Sequence, residues 1–150
     1  MSKMNCKRVF LGGLVAGIVF IVLGFASYFI YLGDAWKCVM EELGYPLSDS
    51  IGMYIFSIVS CFVAGILAVW LYAAIRPRYG AGAGTGVLAG FVFWILSVLL
   101  PYISLGTLGM FPVRLLSIDG LIGLVIMIVA TLLGAWVYRE ESEQGGSNQA

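Results

Sequence analysis

Four long runs of apolar residues, separated by short polar segments, dominate the chain. The runs cover residues 9–32, 51–75, 84–105 and 116–138. Each holds at least the roughly 20 residues that a helix needs to cross a hydrocarbon core about 30 Å thick. Because backbone groups in lipid must be hydrogen-bonded within their own segment, the pattern predicts four transmembrane helices. The first run is too long for the apolar part of a cleaved signal peptide, so we expect it to be a retained span.

The segment between the first two runs, residues 33–50, has an amphipathic helical pattern. Its apolar residues recur at i, i+3, i+4 and i+7: Trp36, Val39, Met40 and Leu43. Asp34 suits the start of a helix, and Gly44 followed by Pro46 suits its end. The pattern predicts a short interfacial helix in the first outer loop, lying on the membrane surface. The alternative is a helix packed over the end of the bundle.

The first pair of runs resembles the second pair. Residues 13–24 match 86–97 at six of twelve positions, and residues 62–72 match 128–138 at five of eleven. The match predicts two duplicated helical hairpins that begin and end on the same side of the membrane, which makes them parallel repeats. Convergence is the alternative, because small and aliphatic residues are common in all membrane spans.

Each predicted repeat, about 9–75 and about 84–138, carries pairs of small residues spaced four apart. Such pairs let helix backbones approach closely, which gains van der Waals contact where lipid leaves no hydrophobic drive. We therefore predict that they line the packing seams of a four-helix bundle, although a seam with another protein is also open. These residues are Gly13, Gly17, Ala64, Ala68, Gly86, Gly90, Ala130 and Gly134.

Basic residues concentrate on one side of the predicted spans. Six lie on the side of the termini: Lys3, Lys7, Arg8, Arg76, Arg78 and Arg139. Only Lys37 and Arg114 lie on the other side, so the positive-inside rule places both termini in the cytoplasm. Aromatic residues near the span ends are predicted to anchor the protein at the two membrane interfaces. Those singled out are Trp36, Trp70, Tyr72, Trp136 and Tyr138.

The composition favours a membrane protein and offers little catalytic chemistry. The chain is 61% hydrophobic and 11% charged, against about 25% charged in a typical soluble domain. Its formal net charge is zero, which leaves no electrostatic basis for nucleic-acid binding. Histidine, the commonest general base and metal ligand, is missing from the sequence. Cys6, Cys38 and Cys61 fall in separate segments without zinc spacing, so we expect no enzyme activity, cofactor or metal.

Charged residues are missing from the interiors of the four predicted spans. Ionisable groups inside a membrane usually mark ion or proton pathways, so this absence argues against a proton-coupled pump. Arg114 and Asp119 lie at the outer edge of the fourth span. They could form a pair at the mouth of a ligand pocket. Alternatively, Arg114 extends to the lipid headgroups and Asp119 favours the positive end of its helix.

The segments around the third span predict turns. Pro101 is expected to kink or end that span. Residues 106–112 are expected to form a tight outer turn or a shallow re-entrant piece. The glycine-rich stretch 76–86 lacks the phosphate-binding loop pattern and is expected to be a flexible, basic turn.

The chain is expected to hold a single transmembrane domain over 1–138 and a polar cytoplasmic tail over 139–150.

Three stretches resemble a group of small four-span bacterial membrane proteins: CKRVFLGGLVAG at 6–17, RPRYGAG at 76–82 and GAWVYRE at 134–140. The resemblance covers about residues 5–140. It implies a four-span protein of the bacterial inner membrane. It implies no activity and no catalytic residue.

We therefore expect a non-enzymatic integral membrane protein. Its expected role is that of an accessory or structural subunit, which packs against a larger membrane complex or associates with itself. The expected partners are membrane lipids and other membrane-protein subunits, with no nucleic acid. The alternative is a small transporter or channel for a small or apolar solute. An enzyme acting on lipid or quinone ranks lowest, because the sequence places no set of acid and base side chains at the same depth in the membrane.

Overall fold

The computed structural model describes residues 6–45 and 50–139. These ranges contain four long helices and no strand: α1 Cys6–Glu42, α2 Ile51–Tyr79, α3 Ala83–Thr107 and α4 Val113–Arg139. All four helices are long and apolar enough to cross a membrane, which confirms the four helical runs expected from the sequence. Lys3, Pro46 and the tail beyond Arg139, which also entered the predictions, lie outside the described residues.

α1 continues through the segment for which the sequence predicts a separate helix. Its α-helical part Cys6–Ser27 leads into a π-helical turn, Tyr28–Leu32, and then into a second α-helical part, Gly33–Glu42. In the wider turn the Gly33 N–H donates to the Tyr28 carbonyl, so the hydrogen-bond ladder is not interrupted. The short helix expected in this segment is therefore present as Gly33–Glu42, but Asp34 does not cap its start, because the helix continues from the first span. The helix ends at Glu42, and Gly44 follows in the turn with a φ of 76°, which suits glycine.

A second π-helical turn lies within α3. It covers Ile95–Leu99, between the α-helical parts Ala83–Trp94 and Leu100–Thr107. Proline lacks an N–H and its ring opposes the carbonyl four residues earlier, so it normally breaks a helix. The π-helical turn shifts the hydrogen-bond register just before Pro101, and α3 continues to Thr107. The alternative that Pro101 ends the span is therefore wrong. A tight turn with Gly109 at φ 68° then leads to α4.

The helices form a bundle in which α1 contacts α2 and α4, and α3 contacts the same two helices. Since successive helices reverse direction, each helix runs antiparallel to both of its main neighbours. The centre of the bundle holds alanines that are fully buried, with 0% exposure: Ala16, Ala68, Ala89 and Ala130. Small side chains at the centre let the four backbones come close together.

Glycines form the seam between α1 and α2. A Cβ atom at Gly13 would lie 2.6 Å from the Cα of Ile66, and one at Gly17 would lie 2.6 Å from the Phe62 ring. From the opposite helix, a Cβ at Gly65 would overlap the Gly13 carbonyl oxygen. Any side chain at these positions would push the two helices apart.

The seam between α3 and α4 repeats these contacts at equivalent positions. A Cβ atom at Gly86 would lie 2.9 Å from Leu132, and one at Gly90 would lie 3.1 Å from the Cα of Ile128. In the sequence match, Gly86 and Gly90 align with Gly13 and Gly17 of α1. Leu132 and Ile128 align with Ile66 and Phe62 of α2, which are the residues that Gly13 and Gly17 contact. Thr131 stands where α2 has a glycine and is fully buried, its hydroxyl donating to the Met127 carbonyl.

A further glycine contact joins the two hairpins. A Cβ atom at Gly12 would lie 2.6 Å from the Gly134 carbonyl oxygen, and one at Gly134 would lie 3.0 Å from the Ala16 Cβ. Gly134, one of the predicted packing residues, thus packs α4 against α1. Of the other predicted small residues, Ala64 is only half-buried, whereas the remaining ones are buried.

The turn between α2 and α3 is short and hydrogen-bonded. α2 ends at Gly80 with a φ of 85°, and α3 begins at Ala83. The buried Thr85 hydroxyl donates to the Gly80 carbonyl at 2.8 Å, which satisfies a backbone group at the end of α2. The glycine-rich stretch expected to be a flexible turn is therefore mostly helical.

Candidate functional site

Asp119 connects three helices at the end of the bundle away from Cys6. It lies two turns into α4 and is half-buried. Its Oδ2 accepts a hydrogen bond from Trp36 Nε1 of α1 at 3.0 Å and from the Tyr102 hydroxyl of α3 at 2.7 Å. A hydrogen bond to a charged group contributes about 1.5–3 kcal/mol to the stability of the folded state. We call these three residues the carboxylate cluster.

Arg114 does not belong to this cluster. The side chain is exposed in the first turn of α4, and within the described ranges no ion pair joins it to Asp119. Residues five apart on a helix are rotated by about 140° from each other, so they project from different faces. The predicted Arg114–Asp119 pair is therefore not formed. Asp119 faces neighbouring helices, and Arg114 faces the surroundings.

The second α-helical part of α1 packs over the start of α4. Val39 is buried and belongs to a cluster with Leu32 and Leu115. The Trp36 ring lies against Phe111, with ring centroids 6.0 Å apart. The amphipathic face thus contacts the end of the bundle, which is the second of the two arrangements that the sequence left open.

A pocket of about 500 Å³ lies beside the carboxylate cluster, between α3 and α4. Volumes of 300–1,000 Å³ are typical of small-molecule sites. Trp94 and Gly120 line its deep part, and the indole N–H donates to the Gly120 carbonyl at 2.9 Å. Thr107 and Ser117 line its outer part, and Tyr102 lines the wall between. The geometry suits the binding of an apolar molecule.

A pair of tyrosines fills the opposite end of the bundle, near Cys6. Tyr72 and Tyr138 have exposures of 1% and 9%, whereas the neighbouring Trp70 and Trp136 have exposures of 48% and 59%. Residues two apart on a helix are rotated by about 200°, so Trp and Tyr of each Trp-x-Tyr motif face opposite directions. The two tryptophans face outward, as interfacial anchors do. The prediction that the two tyrosines are interfacial anchors is wrong, because their rings lie inside the bundle.

A cation lies against this tyrosine pair. The Arg76 guanidinium carbon is 5.4 Å from the centre of the Tyr138 ring, within the range of a cation–π interaction. The contact joins the end of α2 to the end of α4.

In the ranges 6–45 and 50–139 the side chains show neither a metal-binding group nor an unsatisfied buried polar atom. In these ranges no group of three or more Cys, Asp or Glu residues is placed to hold a metal ion. Every buried side-chain nitrogen or oxygen in them has a hydrogen-bond partner. Cys6 and Cys38 are exposed, and Cys61 is half-buried within α2.

Sequence reasoning missed several of these residues. Gly12 and Gly65 are among the glycines with the closest helix contacts but lie outside the small-residue pairs singled out. Tyr102 is not among the residues that the sequence singles out, because its partner Asp119 is 17 residues away on another helix.

Comparison of the chain with protein-family profiles, curated protein sequences and solved structures gives no match.

Proposed function

We propose that the protein is a non-enzymatic, multi-pass protein of the bacterial inner membrane that serves as an accessory or structural subunit. It packs against a larger membrane complex or against a second copy of itself. The observation that carries this proposal is the first part of α2. Residues 51–60 are all exposed, on every side of the helix. A helix of a self-contained bundle normally buries one stripe along its length, so this part of α2 is available to a partner.

The surface of this exposed part suits another helix. Gly52, Phe56 and Ser60 follow one another at intervals of four residues, so they share one face. Small residues let a partner helix approach closely at both ends of this face, and the exposed Phe56 ring between them would pack against side chains of that partner. The Ser60 hydroxyl donates to the Phe56 carbonyl at 2.8 Å, so close approach leaves this hydroxyl satisfied. We name residues 51–60 the exposed α2 segment.

The proposed topology has both termini in the cytoplasm. The end of the bundle that carries Cys6 also carries four basic residues, Lys7, Arg8, Arg76 and Arg78, and the positive-inside rule favours the cytoplasm for that end.

The equivalent glycine contacts of the two hairpins support an origin by duplication, in which the copies are parallel repeats. In this arrangement the carboxylate cluster and the pocket face the outer half of the membrane.

Cross-linking in native membranes tests the proposed role. In a variant whose three cysteines are replaced by serine, Phe56→Cys places a thiol on the exposed α2 segment. Val125→Cys is a matched control, because Val125 is also exposed, 62% against 73% for Phe56, but lies on α4. We expect cross-linked products from the first variant and few from the second. A protein that migrates only as a monomer in mild detergent and yields no product from Phe56→Cys would contradict the subunit role.

A small transporter or channel for an apolar solute is the second candidate. The pocket between α3 and α4 favours it, because its volume of about 500 Å³ lies in the range typical of small-molecule sites. Purified protein in liposomes would then release an enclosed solute faster than empty liposomes do. Vesicles that stay tight across a broad panel of solutes would contradict this role and leave the subunit role standing.

A further inference from the structure

We propose that the pocket between α3 and α4 is a lipid site, which takes one acyl chain of an anionic phospholipid and holds its phosphate at Arg114. The proposal does not depend on the subunit role. It depends only on the bundle lying in a membrane.

The pocket has the length of one membrane leaflet. Its lining on α3 runs from Trp94 to Thr107, a separation of 13 residues or about 20 Å along a helix. Its lining on α4 runs from Val113 to Leu121, a separation of 8 residues or about 12 Å. One leaflet of a hydrocarbon core about 30 Å thick has a depth of about 15 Å. An extended acyl chain therefore fits along the pocket, parallel to the helices.

The chemistry of the walls suits hydrocarbon in the deep part. The Trp94 indole N–H is already donated to the Gly120 carbonyl, and the Tyr102 hydroxyl is donated to Asp119. A polar solute would have to give up its own hydrogen bonds to water here, which disfavours it. Thr107 and Ser117 line the outer part, where the ester and phosphate groups of a lipid would be. Their hydroxyls already donate to the Ser104 and Val113 carbonyls, so donors to a phosphate there must come from a charged side chain.

Arg114 supplies the charge at the rim. It follows the lining residue Val113 and precedes the lining residue Ser117 by about one helical turn. Its side chain is exposed and, in the described ranges, makes no ion pair. A guanidinium binds phosphate with paired, charge-assisted hydrogen bonds.

The same rim disfavours a cationic headgroup. Asp119 is the only acidic residue of α3 and α4, and its Oδ2 is occupied by Trp36 and Tyr102. On these two helices an ammonium group at the rim would therefore find only the second oxygen of this half-buried carboxylate. The rim thus favours an anionic phospholipid over a zwitterionic one.

Native mass spectrometry of the detergent-solubilised full chain tests the proposal, with palmitoyl-oleoyl phosphatidylglycerol and phosphatidylcholine as probes. We expect phosphatidylglycerol to bind more tightly. Arg114→Gln should weaken that binding about tenfold, as expected for loss of hydrogen bonds to a charged group, and should abolish the preference. Lys37→Gln removes the other basic residue predicted for the outer side and should leave both affinities unchanged. Ser117→Phe, which fills the outer part of the pocket, should weaken both lipids.

Two results would overturn the proposal. One is an equal loss of binding in Arg114→Gln and Lys37→Gln, which would indicate a diffuse charge effect. The other is unchanged binding in Ser117→Phe, which would place the lipid elsewhere. A phosphatidylglycerol with a diazirine on its acyl chain gives an independent measurement in the unmodified protein. Cross-links should map to α3 between Trp94 and Thr107, and mapping to residues 51–60 instead would contradict the site.

Discussion

Tyr72 and Tyr138 meet edge to face inside the bundle, with ring centroids 6.2 Å apart and ring planes at 87°. They occupy the same position in the two sequence repeats, 66 residues apart. The contact therefore joins one repeat to the other through equivalent residues, at the end where α2 and α4 finish. Edge-to-face aromatic pairs contribute about 0.5–1.5 kcal/mol beyond the area that they bury.

Tyr72→Ala should destabilise the fold strongly. The ring is 1% exposed, and removal of a buried aromatic side chain costs about 3–5 kcal/mol in protein cores. Trp70→Ala is the matched control, because that ring is 48% exposed and lies two residues away on the same helix. Thermal unfolding in detergent, followed by circular dichroism, should show a large loss for Tyr72→Ala and a small one for Trp70→Ala. Equal losses would contradict the inward position of the tyrosine.

Two glycines of α1 should respond oppositely to alanine. A Cβ at Gly13 would lie 2.6 Å from the Ile66 Cα, whereas one at Gly24 would meet nothing within 4 Å. Gly13→Ala should therefore lower the free energy of unfolding by about 1–3 kcal/mol, because the added methyl group overpacks the seam. Gly24→Ala should be neutral or stabilising by up to about 1 kcal/mol, because alanine favours the helix. Urea or heat unfolding of the two variants, compared in one detergent, measures the difference. A Gly13→Ala protein as stable as Gly24→Ala would show that the α1–α2 seam is looser than described.

Loss of the carboxylate cluster should release the end of α1. Trp36→Phe keeps an aromatic ring but removes the N–H that Asp119 accepts at 3.0 Å. We expect faster amide hydrogen exchange over Gly33–Glu42, and unchanged exchange over α2, because local opening depends on the contacts of the segment itself. Trp136→Phe, which changes an outward-facing ring, is the control. Unchanged exchange at Gly33–Glu42 in Trp36→Phe would mean that the bond does not hold this segment.

The hydrophobic pattern predicted the parts of the fold that depend on local sequence. The four apolar runs form four long helices, as predicted, and Gly44 follows the end of α1. Spacing of four residues also found Gly13 and Gly17, because small residues on one helix face are visible in the sequence. These features follow from length and periodicity, which need no knowledge of neighbouring helices.

The remaining features depend on contacts between distant residues or on small changes in helix register. The partners of Asp119 include Trp36, which is 83 residues away in the sequence. The π-helical turns shift the ladder by one residue, and apolar composition is the same with or without them. The Trp-x-Tyr motif shows that its two rings face opposite directions, but only the packing decides that the tyrosine is inside.

The most direct test of the membrane arrangement uses the two exposed cysteines of α1. Cys6 and Cys38 lie on one continuous helix, and their separation of 32 residues corresponds to about 48 Å, which exceeds the roughly 30 Å of a hydrocarbon core. They should therefore lie on opposite sides of the membrane. Variants that retain only one of these cysteines can be treated with a membrane-impermeant maleimide, first as intact spheroplasts and then after lysis. We predict that Cys38 reacts in intact spheroplasts and that Cys6 reacts only after lysis; labelling of Cys6 in intact spheroplasts with Cys38 protected would contradict this account.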